Sequence, residues 1–107
     1  NFDRSGAIGP VTPACEIPDP SALELTTRVN GEVMQSGRLA DLVFDIPYLI
    51  EYCSSFMTLR AGDVIATGTP GGVGAARKPP AWLRDGDVVE VEIPGLGTLR
   101  NPVRDER

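Results

Sequence analysis

Residues 23–29, LELTTRV, alternate strictly, with Leu23, Leu25, Thr27 and Val29 on one side and Glu24, Thr26 and Arg28 on the other. A period of two sends successive side chains to opposite faces, so the run predicts a half-buried strand. Asn30-Gly31 follows, and then EVMQ. Both turn residues tolerate the positive φ of a type I′ turn, which predicts a hairpin. The alternation returns in DVVEVEI, where Val89, Val91 and Ile93 share one face and Glu90 and Glu92 the outer one. PGLG turns the chain, and TLRNPV comes back as the partner strand. Pro102 makes that partner an edge strand or marks its end.

The period lengthens to that of a helix in DIPYLIEYCSSFMTL, residues 45–59. Leu49, Ile50, Cys53, Phe56 and Met57 fall at i, i+1, i+4, i+7 and i+8, one apolar stripe that predicts packing against a core. Asp45 is placed to cap the N-terminus, and Pro47 sits in the first turn, where its missing N–H costs nothing. Cys53 belongs to the stripe, which speaks against a nucleophilic role.

LRAGDVIATG (59–68) and LRDGDVVEVE (83–92) share Leu-Arg-x-Gly-Asp-Val. In each, Gly-Asp predicts a tight turn leading into a strand, the first of them a buried strand ending at Val64-Ile65-Ala66. Such turns are common before strands, so the echo does not require a duplication. The first twenty residues carry Pro10, Pro13, Pro18 and Pro20 and predict loop. The order is loop, hairpin, helix, strand, glycine loop, hairpin. That is a mostly β fold with one main helix, an α+β domain spanning 1–107.

Composition narrows the function. Twelve Gly and ten Pro suit a turn-rich β fold. Fifteen acidic against ten basic residues, a net charge of -5, argue against nucleic acid. No apolar run nears the ~20 residues that cross a bilayer, so a soluble protein is expected, with no membrane partner. The chain begins at Asn1 with no basic-then-apolar leader, which predicts a piece of a longer protein. Cys15 and Cys53 are too few for a disulfide framework and fit no zinc spacing. Two reduced thiols in the cytoplasm are expected. There is no histidine, so an imidazole base would have to come from elsewhere.

The richest chemistry lies in ATGTPGGVGAARKPP, residues 66–80. It is not a phosphate-gripping P-loop: Lys78 is followed by Pro79 and Pro80, with no hydroxyl for Mg²⁺ and no helix to open. Gly68, Gly71, Gly72 and Gly74 also miss the dinucleotide spacing. What remains is Thr67-Gly68-Thr69-Pro70, which brings bare backbone and two hydroxyls to the strand's end, with Thr69 a hydroxyl donor, suited to a small carboxylate. A ligand-free tight turn has the same spacing.

GDVIATGTPGGVGAARKPPAWLRDGDVVEVEIPGLGTLRNPV resembles the C-terminal part of the fumarylacetoacetate hydrolase family. So do NFDRSGAIGP, EIPDP, VNGEVMQSG and DLVFDIPYLIEYCSSFMTL, in the same order. The 2-hydroxyhepta-2,4-diene-1,7-dioate isomerase branch is the most similar in wording. The resemblance implies a mixed β-sheet roll, incomplete here, in a protein that pairs as a homodimer. It implies an enzyme binding Mg²⁺ or Mn²⁺ that hydrolyses, decarboxylates, hydrates or isomerises small 2-oxo or 1,3-dicarbonyl acids, as in aromatic catabolism. The metal polarises a carbonyl and stabilises an enolate.

The family's metal ligands, a Glu-x-Glu pair and an Asp, lie N-terminal to every segment present. Glu16, Asp19, Glu90 and Glu92 are read as surface charges. Asn1, Phe2 and Asp3 match the middle of the family's Lys-x-Phe-x-Thr. The Lys would precede Asn1, and Arg4 stands where Thr is frequent. Arg38, Leu39 and Ala40 replace the first three residues of the family's Asn-Thr-Ser-Asp, leaving Asp41. Gly68-Thr69-Pro70 matches, and there the family's Thr helps hold the substrate carboxylate. The resemblance therefore implies substrate binding at Gly68, Thr69 and Pro70, no catalytic or metal-ligating residue in this chain, and no activity for the chain alone. The rival reading is a non-catalytic β-roll module whose loop is a structural turn.

Overall fold

The computed structural model describes residues 5–106. The match at Asn1 to Arg4 lies outside them. The two hairpins form as the alternation predicts: β1 (Glu24–Val29) with β2 (Glu32–Arg38), and β3 (Val88–Ile93) with β4 (Gly97–Pro102). Asn30 at φ 52° and Gly31 at φ 84° are the left-handed pair of the type I′ turn. The hairpins join through β1 and β3 into an open four-stranded sheet of order β2-β1-β3-β4, antiparallel throughout. β4 is an edge strand, and Pro102 is its last residue.

One ion pair crosses the β1–β3 seam and another the β3–β4 seam. Arg28 pairs with Glu92, and Arg100 of β4 lies 3.4 Å from Glu90. These glutamates are half-buried members of cross-strand ion pairs, a correction to their reading as plain surface charges. Asn30 ties the first hairpin to the start of β3: its amide nitrogen donates to Asp87 at 2.8 Å, and its amide oxygen accepts from the Val88 N–H at 2.9 Å.

The register of β1 against β2 slips once. Thr27 faces Gln35 and Arg28 faces Val33, so Met34 is an extra residue on β2. This bulge frees the Met34 carbonyl, which accepts from the Arg77 guanidinium at 2.7 Å. Arg77 also donates to the Gly72 carbonyl at 3.1 Å. The glycine loop is thereby tied to β2, the strand at the sheet's other edge.

The helix α1 runs over Ile46–Ser54, shorter than the 45–59 pattern. Asp45 caps it, accepting from the Tyr48 N–H at 2.8 Å. Its end has a local cause: Ser54 and Ser55 turn their hydroxyls back onto the Glu51 and Tyr52 carbonyls at 2.9 and 2.7 Å. Phe44, Tyr48 and Tyr52 stack along the helix with centroids 4.9 and 6.4 Å apart, and Phe56 meets Tyr52 edge-on at 5.4 Å.

Two expectations fail. The apolar stripe of α1 does not pack into a core: Ile50, Phe56 and Met57 are exposed, and no described residue is fully buried. Val64-Ile65-Ala66 forms no strand, since it pairs with no described strand and Val64 is 76% exposed. A strand exists only as part of a ladder, so an apolar run without a partner remains irregular. The Leu-Arg-x-Gly-Asp turns, by contrast, are built alike. The Asp63 and Asp87 side chains accept from the Arg60 and Arg84 N–H groups at 2.7 and 2.8 Å, around Gly62 and Gly86 at φ 98° and 88°. Only the second leads into a strand.

Candidate functional site

Thr67, Gly68, Thr69 and Pro70 form one wall of a cavity of about 280 Å³. The opposite walls come from Leu25 of β1, from Gly37 and Arg38 at the end of β2, from residues 39 and 41–44 after it, and from Leu49 of α1. The two sequence segments singled out for family-like or departing residues therefore meet at one place, although about thirty residues separate them along the chain. Gly37 makes the approach possible: a Cβ there would lie 2.8 Å from the Pro70 Cβ.

The walls are chiefly apolar, with Leu25, Leu39, Leu42, Val43, Phe44 and Leu49. Three polar side-chain types interrupt them: the threonine hydroxyls, the Arg38 guanidinium and the Asp41 carboxylate. Arg38 carries the one cation on the described lining, and its Nε bonds Glu24 at 2.9 Å. Few polar groups on an apolar hollow are the common make-up of a small-molecule site.

Thr69 is exposed toward the cavity rather than packed inward. Its hydroxyl oxygen accepts from the Gln35 side-chain amide at 2.9 Å, and the same amide nitrogen bonds the Pro70 carbonyl at 2.9 Å. Gln35, which sequence reasoning missed, thus holds both expected site residues. A glutamine on a strand carries no signal of its own, and the contacts span thirty-four and thirty-five positions. Gly68, at φ 109°, takes the turn that lets the loop bend beside the hollow.

A second, larger hollow of about 550 Å³ lies on the other side of the 39–42 turn. Its acids, Asp19 and Asp45, are already engaged as caps on Ser21 and Tyr48. The Ser21 hydroxyl and N–H hold the Asp19 carboxyl below the usual carboxylate range. Neither acid is poised for ligation.

Among the described residues no three Asp, Glu, Cys or His side chains converge, and Asp41 is the lone acid on the cavity wall. The described residues do not by themselves fit a divalent-metal centre, and no chemical step is assigned to one.

The family model for the fumarylacetoacetate hydrolase C-terminal domain matches residues 1–104. The chain belongs to the fumarylacetoacetate hydrolase family. It is 48% identical to the oxaloacetate tautomerase YisK of Bacillus subtilis, over 96% of this chain and 35% of that protein. Among solved structures it is similar to a 5-carboxymethyl-2-hydroxymuconate delta-isomerase from Mycobacterium smegmatis: 49% identity, TM-score 0.74, covering 84% of this chain and 33% of that one. It is also similar to a maleylpyruvate hydrolase from Sphingobium sp. SYK-6 in complex with manganese(II) and pyruvate, at 38% identity and TM-score 0.81, covering 91% of this chain and 34% of that one. The chain spans about a third of the length of these relatives.

The family accounts for the fold, which is mostly β with one helix and an open sheet. Hydrolases, isomerases and tautomerases all appear among the relatives. No described helix is long and apolar enough to cross a membrane.

Proposed function

We propose that this chain is the C-terminal portion of an enzyme acting on small 2-oxo acids, and that its Thr67–Pro70 loop docks the substrate's carboxylate. The observation that carries this reading is the exposed Thr69 hydroxyl on the wall of the 280 Å³ cavity, with Gly68 and Pro70 beside it. Relatives named for oxaloacetate, for maleylpyruvate and for a manganese–pyruvate complex support the substrate class.

The division of labour follows from what the cavity holds. Thr69 gives a hydrogen bond to the acid end, and the apolar walls limit water around the carbon chain. The 2-oxo group would be polarised by Mg²⁺ or Mn²⁺, held by carboxylates outside this stretch. The full protein is a homodimer in this reading, in a reducing compartment such as the cytoplasm that keeps Cys15 and Cys53 as the free thiols they are.

The test is Thr69→Ala in the full-length protein, with oxaloacetate as substrate. Loss of a hydrogen bond to a charged group, worth about 1.5–3 kcal/mol, should raise KM roughly 10- to 150-fold. Unchanged kinetics would remove Thr69 from the site and leave the loop a structural turn.

A further inference from the structure

We propose that Gln35 is a positioning residue that fixes the direction of the Thr69 hydroxyl proton, making the loop a donor toward the cavity; this rests on the carboxylate reading above. The argument begins at the Pro70 carbonyl. That oxygen has no proton to give, so the Gln35 atom 2.9 Å away must be the amide nitrogen, a donor. The same nitrogen is 2.9 Å from Thr69 Oγ1. The Thr69 oxygen is therefore the acceptor in that contact, and its single proton cannot point back along it.

Among the described residues Thr69 Oγ1 has no acceptor of its own, and it lies on the cavity wall. The proton is left for whatever enters the cavity. A chain running Gln35 N–H to Thr69 O–H to ligand is polarised in one direction, each bond strengthening the next. Such a site favours a group that only accepts, a carboxylate, over an ammonium or an amide N–H.

The strand geometry explains why Gln35 is available. It follows the bulged Met34, and a bulge re-aims the neighbouring side chain out of simple alternation. Gln35 is partly buried, anchored opposite Thr27 in the ladder, so its amide is presented from a fixed element rather than from the loop it orients.

The experiment measures pyruvate affinity by calorimetry in the full-length protein, with a thermal melt of each variant. Gln35→Glu is nearly isosteric, but its carboxylate accepts the Thr69 proton, reverses the hydroxyl and brings like charge near the ligand. Binding should weaken roughly tenfold or more, and should recover as pH falls and the introduced acid regains an O–H donor. Gln35→Met, matched in size and unable to donate, frees the hydroxyl to rotate and should weaken binding roughly three- to tenfold.

In the Thr69→Ala background Gln35→Met should cost almost nothing further, because there is no hydroxyl left to orient. A purely structural glutamine would lose the same factor in both backgrounds and lower the melting temperature in step. That result, or Gln35→Glu binding pyruvate like wild type, overturns the proposal. If Thr69→Ala itself leaves pyruvate binding intact, the carboxylate reading falls and this inference with it. If Thr69 matters and Gln35 does not, the inference falls alone.

Discussion

At Gly72 the backbone turns to φ 103°, and a Cβ built there would run into the Met34 carbonyl oxygen. That oxygen is the one Arg77 binds, so the loop, the bulge and the arginine meet at a point with no room for a side chain. Gly72→Ala should destabilise the full-length protein by about 2–4 kcal/mol, the sum of an unfavourable φ and a backbone that must retreat. Urea unfolding reads this directly. Gly71→Ala is the control: open space surrounds its Cβ position, and its midpoint should stay within about 0.5 kcal/mol of wild type. If both variants behave alike, the loop is not seated on β2. Gly68, Thr69 and Pro70 could be singled out as candidates from the sequence because they are consecutive and match the family's Gly-Thr-Pro. Gln35 and the Gly37–Pro70 approach could not, since each depends on a contact between distant positions that neither segment announces.

Between elements, the junction of the first hairpin with β3 depends on a carboxylate. The Asn30 amide, followed by the Arg84 N–H, holds the Asp87 carboxyl below its usual range. A group whose folded pKa is depressed adds stability above the unfolded value, and loses it as pH falls through the folded one. The sheet should therefore loosen at its β1–β3 end as acid is added below about pH 4. Asp87→Asn should flatten that part of the stability-against-pH curve, measured by denaturant midpoints from pH 3 to 6. An unchanged acid slope would show that Asp87 contributes nothing to it. Both hairpins were legible because alternation and turn chemistry are local signals: Asn30-Gly31 alone specifies one of them. The pairing of β1 with β3 was not, because nothing in either run names its neighbour. Val64–Ala66 misled for the same reason, as an apolar run says that burial is wanted without saying where. The helix was placed correctly at its start, where Asp45 and Pro47 act, and overrun at its end, where Ser54 and Ser55 bond backward.

Taken whole, the chain exposes far more surface than its mass warrants. An 11.4 kDa monomer is expected to present about 5,800 Å², and this one presents 8866 Å². Its radius of gyration is 15.5 Å, against about 13 Å for a compact domain of this length. The excess of about 3,000 Å² on this one chain is well above the roughly 800 Å² per partner of a standard-size interface. It includes apolar side chains that the sequence marked for burial: Ile50 on α1, Phe56 and Met57 just beyond it, and Val64. The pattern marks these residues for burial, and among the described residues nothing buries them. On the proposed reading the cover is the remainder of the polypeptide, which also brings the metal ligands. Expressed alone, residues 1–107 should self-associate on size exclusion, bind ANS and melt without a cooperative transition, and should show no Mg²⁺-dependent turnover of oxaloacetate. The full-length protein should be cooperative and silent toward ANS. A monodisperse, two-state 107-residue monomer would mean that the exposed α1 stripe tolerates water, and would remove the ground for placing it at an interface. Turnover by that monomer would also refute the assignment of the metal ligands to residues outside it.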